Sequence, residues 1–289
     1  MNELNGLGTA LITPFKADGT VDYEALARLL DTQLTGCVDY IVVLGTTGEA
    51  ATMTDKERAE VRSFVRSYVN GRLPLVLGLG GNCTAAVCEA LRTTDLSGFC
   101  AILSVCPYYN KPNQEGLYRH FCAVAEASPV PVILYNVPGR TGVNLLPETV
   151  MRIYNTRPDK IAGIKEASGN VEQIKDLICR KSKVESQKQF LVISGDDGIA
   201  CELMEAGAAG LISVASNAFP EDFWHIVHDK DAALQTRYAE MIHLLFAEGN
   251  PVGIKAVLAQ RGIIENHLRL PLVPASEQLQ EQIRLLMHK

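Results

Sequence analysis

Ile161-Ala-Gly-Ile-Lys165-Glu-Ala-Ser-Gly169 is the stretch on which the reading of this chain turns. A short apolar run ends in a lysine, just ahead of a turn-forming Ser-Gly. The run does not alternate with period two, which fits a strand buried on both faces. A lysine at the end of such a strand is expected at a sheet edge, half out of water. Desolvation there disfavours the ammonium and lowers its pKa, and a neutral amine can form a Schiff base with a carbonyl. The same nine residues also describe a strand-end lysine whose ammonium snorkels to solvent. Taken alone, the segment leaves both readings open.

Outward from it, comparable apolar runs recur at Leu7–Thr13, Tyr40–Leu44, Leu75–Leu79, Ala101–Val105, Val130–Tyr135, Phe190–Ser194 and Gly210–Val214. Amphipathic stretches lie between many of them: Asp22–Leu34, Thr54–Val69, Asn113–Ala127, Pro147–Tyr154, Val171–Cys179 and Ile199–Glu205. Thr54-Asp-Lys-Glu57 has the pattern of a capping box, and Pro147 suits a first helical turn. Strand–helix alternation calls for a parallel sheet with right-handed crossovers. Repeated over eight strands, it predicts an α/β fold, a closed (β/α)8 TIM barrel over 1–225. A C-terminal helical extension is expected over 226–289, broken near Asn250-Pro251 and Pro271–Pro274.

The bulk composition agrees. The 289 residues are 47% hydrophobic and 21% charged, ordinary for a globular protein, and a barrel of roughly 250 residues would use most of them. A net charge of −6 without a basic stripe argues against nucleic acid as a partner. Small anionic substrates would need locally placed cations. No apolar stretch approaches the ~18 residues of a membrane span, and the first residues lack the features of a secretory signal. Eight cysteines include no C-x-x-C pair, so free thiols and a cytoplasmic location are expected.

Barrel enzymes carry their chemistry where the strands end. Here those ends are Gly45-Thr-Thr-Gly-Glu49, Pro107-Tyr-Tyr-Asn-Lys-Pro112, Tyr135-Asn-Val-Pro-Gly-Arg-Thr-Gly142, Lys165 and Gly195-Asp-Asp-Gly198. Together they supply an amine, phenols, hydroxyls and a guanidinium, enough for Schiff-base carbonyl chemistry. Each has a plainer alternative. Gly45–Glu49 also reads as a tight strand–helix turn, Tyr108 and Tyr109 as packing, and Arg140 as a surface charge. Asp196 and Asp197 lack a third metal ligand, and His225 and His228 fit a solvated helix face. Neither a dinucleotide fingerprint nor a P-loop is present, so no cofactor and no metal are expected.

With Gly45–Glu49, Tyr135–Gly142 and Gly163–Gly169 in this order and spacing, the chain resembles the dihydrodipicolinate synthase / N-acetylneuraminate lyase family of Schiff-base barrels over essentially its whole length. The resemblance implies that Lys165 forms an imine with pyruvate and that Tyr135 shuttles protons. It implies that Thr46 and Tyr109 complete a proton relay, Tyr109 reaching in from a neighbouring subunit. That in turn implies a homo-oligomer, commonly a tetramer made of two dimers. Thr47, Gly195 and Ile212 resemble residues that hold pyruvate.

Arg140 resembles the arginine with which the synthases of the family bind aspartate semialdehyde, and the Thr46-Thr47 pair also has the synthase form. The implied reaction is condensation of pyruvate with L-aspartate semialdehyde on the route to diaminopimelate and lysine. The alternative is a pyruvate-dependent aldolase acting on a sugar-type keto acid. Lysine-inhibited members carry an effector site to which Ala50, Ala51, Asp55, Arg58, Asn82, Ala86 and Tyr108 correspond. Arg58 stands there in place of a histidine and Ala86 in place of a glutamate, which implies weak feedback by lysine.

Overall fold

The computed structural model describes residues 2–182 and 190–288. Its eight strands follow in chain order as a closed parallel barrel. They are β1 (Gly6–Ala10), β2 (Tyr40–Val43), β3 (Leu75–Gly78), β4 (Ala101–Val105), β5 (Val132–Asn136), β6 (Ile161–Glu166), β7 (Leu191–Ser194) and β8 (Gly210–Ser213). The helices are α1 (Tyr23–Thr35), α2 (Asp55–Val69), α3 (Thr84–Thr93), α4 (Gln114–Ala127), α5 (Pro138–Thr141), α6 (Pro147–Thr156), α7 (Val171–Ser182), α8 (Ala200–Glu205), α9 (Pro220–His228), α10 (Ala232–Arg237), α11 (Ala239–Phe246), α12 (Val252–Gln260) and α13 (Glu277–Met287). The TIM barrel expected from the sequence is the fold found. Met1 and Lys289, the outer limits of the two expected segments, lie outside the described residues.

The chain forms two compact units, each built around its own strands. The first comprises Met1–Asn5 and Pro74–Ile212. Every residue of β5, β6 and β7 is buried, because helices cover one face and barrel side chains the other, and this is why those runs carry no polar alternation. The β5–β6 register shifts between Val132 and Ile133. Beyond that shift Tyr135 pairs with Lys165 and Asn136 with Glu166. Between β6 and β7 the backbones approach closely at Gly163, where a Cβ would fall 2.2 Å from the Leu191 carbonyl oxygen. Helix α4 starts where the Asn113 side chain accepts from the Gly116 N–H, and α6 has Pro147 in its first turn. Helix α3 is not among the amphipathic stretches read from the sequence. Its N-cap is Cys83, which makes no side-chain cap bond, so the usual start signal is missing.

The second unit comprises Gly6–Leu73 and Ser213–Lys289. Asp22 caps α1 by accepting from the Glu24 and Ala25 N–H groups, at 3.1 and 3.0 Å. Thr54 and Glu57 form the expected capping box at α2. Leu26, Leu29 and Leu30 of α1 and Phe223 and Ile226 of α9 are fully buried. His225 and His228 face outward on α9, each paired with an acid: His225 Nδ1 lies 2.6 Å from Asp229 and His228 Nε2 2.7 Å from Asp39.

Candidate functional site

Lys165 lies one residue before the end of β6, which continues to Glu166. A closed barrel has no sheet edge, and the side chain is only 6% exposed. The expectation of an amine half out of water is therefore corrected: strand and neighbours enclose it. Its Nζ lies 4.5 Å from the ring centroid of Tyr135, its register partner on β5. Gly195, one residue past β7, packs against the same lysine. Its N–H donates to the Glu166 carbonyl at 2.7 Å, and a Cβ there would lie 2.7 Å from Lys165 Cε. An amine, the phenol beside it and a glycine that leaves room for the lysine thus come together at the ends of three adjacent strands. Ile212 lies on β8, 1% exposed.

Arg140 sits in the single helical turn α5, which begins at Pro138 and closes on Gly142 with a φ of 73°. The residue is exposed. The chain then returns to its own strand: Leu145 N–H donates to Asn136 Oδ1 at 2.9 Å, and Asn136 Nδ2 donates to Asn144 Oδ1 at 2.8 Å. Tyr109 is not gathered into this group. It is 89% exposed with a φ of 73°, a left-handed conformation uncommon for an aromatic residue and a form of strain that clusters at functional loops. Asn82 and Asn110 hold that loop, the former donating to the Tyr108 carbonyl at 3.2 Å and the latter to the Asn82 carbonyl at 2.8 Å.

Next to Lys165 and Tyr135 in sequence, Glu166 and Asn136 form a buried network that sequence reasoning missed. Both are 0% exposed. The Glu166 carboxylate accepts from Asn136 Nδ2 at 3.1 and 3.0 Å, from Ser168 N–H at 2.9 Å and from Gln173 Nε2 at 3.2 Å. Gln173 and Asn144 exchange two further bonds, at 2.8 and 3.0 Å. Burial raises the Glu166 carboxyl above its ordinary range, against the pull of these donors. Burial likewise pushes the Cys106 thiol up, with the Glu166 charge adding to it. The available signal was a second charged residue, directly after Lys165, closing a short apolar run.

In the second unit, Thr46 and Thr47 open the 3-10 turn Thr46–Gly48 after β2. Thr46 is exposed; Thr47 is buried, and its Oγ1 accepts from Asn250 Nδ2 at 2.9 Å. Thr13 Oγ1 donates to the Gly48 carbonyl at 2.8 Å. Glu49 ends the turn with a φ of 52° and forms a fully buried ion pair with Lys255. Its other oxygen accepts from Arg269 N–H at 3.2 Å. Lys255 also donates to the His267 carbonyl at 2.9 Å, and both Lys255 and Arg269 lie over the Phe15 ring, at 4.3 and 4.4 Å. Burial pulls the Lys255 ammonium below its ordinary range while the Glu49 charge opposes that shift. Asp196, one of the two acids considered for a metal, caps the turn after β7 by accepting from Gly198 N–H at 2.8 Å.

The chain matches the family model of the dihydrodipicolinate synthetase family over residues 3–289. It is 50% identical to a 4-hydroxy-tetrahydrodipicolinate synthase from Parabacteroides distasonis, over 99% of this chain and 97% of that protein. Among solved structures, the dihydrodipicolinate synthase from Thermotoga maritima superposes with a TM-score of 0.93 at 39% identity, covering 98% of this chain and 97% of that one. The chloride-inhibited dihydrodipicolinate synthase from Acinetobacter baumannii, complexed with pyruvate, gives a TM-score of 0.92 at 39% identity, covering 99% and 98%.

Proposed function

The chain belongs to the dihydrodipicolinate synthetase family, and from that premise we propose that it condenses pyruvate with L-aspartate semialdehyde through an imine on Lys165. The carrying observation is the enclosed Lys165–Tyr135 pair, an amine set 4.5 Å from a phenol ring at the ends of adjacent strands. In this reading the Lys165 amine adds to the ketone carbon of pyruvate, and loss of water gives the imine. Loss of a methyl proton gives the enamine, whose carbon forms the new bond to the aldehyde. Each step moves a proton, and a phenol is a weak base unless its partners align with it, so Tyr135 is proposed to work with the hydroxyls of Thr46 and Tyr109. Arg140 is proposed to receive the aldehyde's carboxylate, for which a guanidinium offers two parallel donors. Thr47, Gly195 and Ile212 are proposed to hold pyruvate. The exposure and strained backbone of Tyr109 support a homo-oligomer, proposed as a tetramer, in which this phenol enters a neighbouring subunit's site. Among the described residues no helix is long and apolar enough to cross a membrane, and we propose a cytoplasmic location.

The test is borohydride reduction in the presence of pyruvate, followed by turnover with L-aspartate semialdehyde. One pyruvate trapped per chain, lost in Lys165→Ala, together with turnover, is the expected result. An adduct that persists in Lys165→Ala would show that the nucleophile lies elsewhere. Trapping without turnover would move the reading to an aldolase acting on a sugar-type keto acid.

A further inference from the structure

We propose that Glu166 is a positioning residue for the second substrate: through Asn136 it fixes the loop that carries Arg140, while contributing nothing to imine formation on Lys165. The proposal rests on the function proposed above. Its basis is the register of β5 and β6. Tyr135 and Lys165 are partners, and so are the next residues, Asn136 and Glu166. Successive strand side chains point to opposite faces, so the first pair turns to the reacting side and the second away from it. The second pair is joined by Asn136 Nδ2 donating to both carboxylate oxygens.

The donor count makes the arrangement directional. Both Glu166 oxygens receive N–H groups, from Asn136, Ser168 and Gln173. Only an acceptor fits there. Because the carboxylate fixes which end of the Asn136 amide turns toward it, the amide oxygen is left for Leu145 N–H at 2.9 Å. Asn136 Nδ2 also reaches Asn144 at 2.8 Å. The segment from Val137 to Asn144, with Arg140 in it, is thus closed at its base by one amide whose orientation Glu166 sets. If the amide turned over, the Leu145 N–H would face an NH2 group and the base of the loop would open.

Glu166→Gln is the informative variant because it keeps the volume and replaces one acceptor by a donor. An NH2 at either carboxylate position meets N–H groups, and the strain is relieved by turning Asn136. The parent enzyme is assayed first, for borohydride-trapped pyruvate and for turnover. If the parent does neither, the proposed function fails, whatever Glu166 does. If the parent does both, Glu166→Gln is expected to trap one pyruvate per chain with a KM for pyruvate within about twofold, while kcat/KM for aspartate semialdehyde falls about tenfold or more, mostly through KM. Kinetics equal to the parent would overturn the proposal. So would a parallel loss of trapped pyruvate and turnover, since that marks a general structural role. Gln173→Ala is the second variant, and it decides the matter if Glu166→Gln does not fold. It removes one donor to the carboxylate and both bonds to Asn144, and is expected to lower kcat/KM for aspartate semialdehyde about threefold with imine trapping intact. Parent-like kinetics in that variant would equally overturn the proposal.

Discussion

Lys255 and Glu49 offer the sharpest physical test, because the two halves of their ion pair should fail in opposite directions of pH. Both side chains are almost wholly buried, at 0% and 1% exposure. In Lys255→Met the Glu49 carboxylate keeps the Arg269 N–H but loses its counter-charge. Breaking a buried pair from one side costs about 3–5 kcal/mol, since the cost is that of a stranded charge. For a chain of this size that corresponds to a loss of roughly 10 °C in the thermal midpoint. Glu49→Gln strands the ammonium instead, with a cost of similar order. Thermal unfolding followed by circular dichroism from pH 5 to pH 10 reads both.

Protonating a stranded carboxyl removes its charge, so the Lys255→Met deficit should narrow as pH falls from 7 to 5. The lysine behaves oppositely. Burial already holds the folded ammonium below its ordinary range, so the unfolded chain binds the proton more tightly. Removing Glu49 takes away the charge that opposes this, so the variant's ammonium falls further still, and the added penalty is complete only well below the parent's value of about 8 and fades as pH rises to it. The Glu49→Gln deficit should therefore narrow as pH rises from 5 to 8. Glu49→Met with Lys255→Met leaves no stranded charge and should recover at least about 2 kcal/mol of the summed single losses. Deficits for both single variants that do not change with pH, or that shift in the same direction, would refute the argument.

Arg140→Ala should lower kcat/KM for aspartate semialdehyde by about 10- to 100-fold, the loss of a charge-assisted bond worth ~1.5–3 kcal/mol, and leave borohydride trapping of pyruvate unchanged. Gly195→Ala puts a Cβ 2.7 Å from both Lys165 Cε and Ala167 Cβ; steady-state kinetics should show a kcat reduced at least about tenfold in a protein that still folds. Arg269 hydrogen bonds hold the Glu57 carboxyl down at about 2. That stabilisation is complete above the ordinary glutamate value and is lost as pH falls from about 4.5 toward 2. Arg269→Met should accordingly flatten the fall of the thermal midpoint over that range. Lysine should inhibit weakly: Arg58 donates to the Ala50 and Met53 carbonyls at 3.1 and 2.6 Å and brings a positive charge to the corresponding position. Half-inhibition below millimolar lysine would contradict this.

The barrel was legible because its signal is local. Buried parallel strands are short apolar runs, and each of the eight lay within two or three residues of its observed position. Helix α2 was announced by its capping box, whereas α3 begins at Cys83 without a side-chain cap and passed unseen. Lys165 and Tyr135 could be picked out because each stands next to the last residue of a strand, but their pairing depends on a register shift at Val132–Ile133 that no local pattern records. Glu166 and Asn136 were in plain view beside them and still went unassigned. Their meaning lies in partners at 144, 145, 168 and 173, reached only once the loop and α7 have folded back. Asn250 and Lys255 meet Thr47 and Glu49 across more than 200 residues of chain. Contacts at that separation have no sequence signature.

The tripeptide Gly-Ile-Lys makes the same point within one molecule, for it occurs at 163–165 and again at 253–255. Both lysines sit in apolar runs, both are buried, and both lie over an aromatic ring, at 4.5 and 4.3 Å. What separates them is the element and the partner. Lys255 is inside helix α12, where its ammonium is consumed by Glu49 and a backbone carbonyl. An amine held that way has no lone pair to offer and serves to fix a turn. Lys165 stands near the end of a barrel strand, where substrates of such folds are bound, and among the described residues no carboxylate is paired with it. Its neighbour in space is a phenol, which can exchange protons without holding the amine as a permanent cation. Enclosure of a lysine therefore does not by itself mark a nucleophile. Enclosure without a counter-ion, beside a group able to take and return a proton, is the condition that Lys165 meets and Lys255 does not.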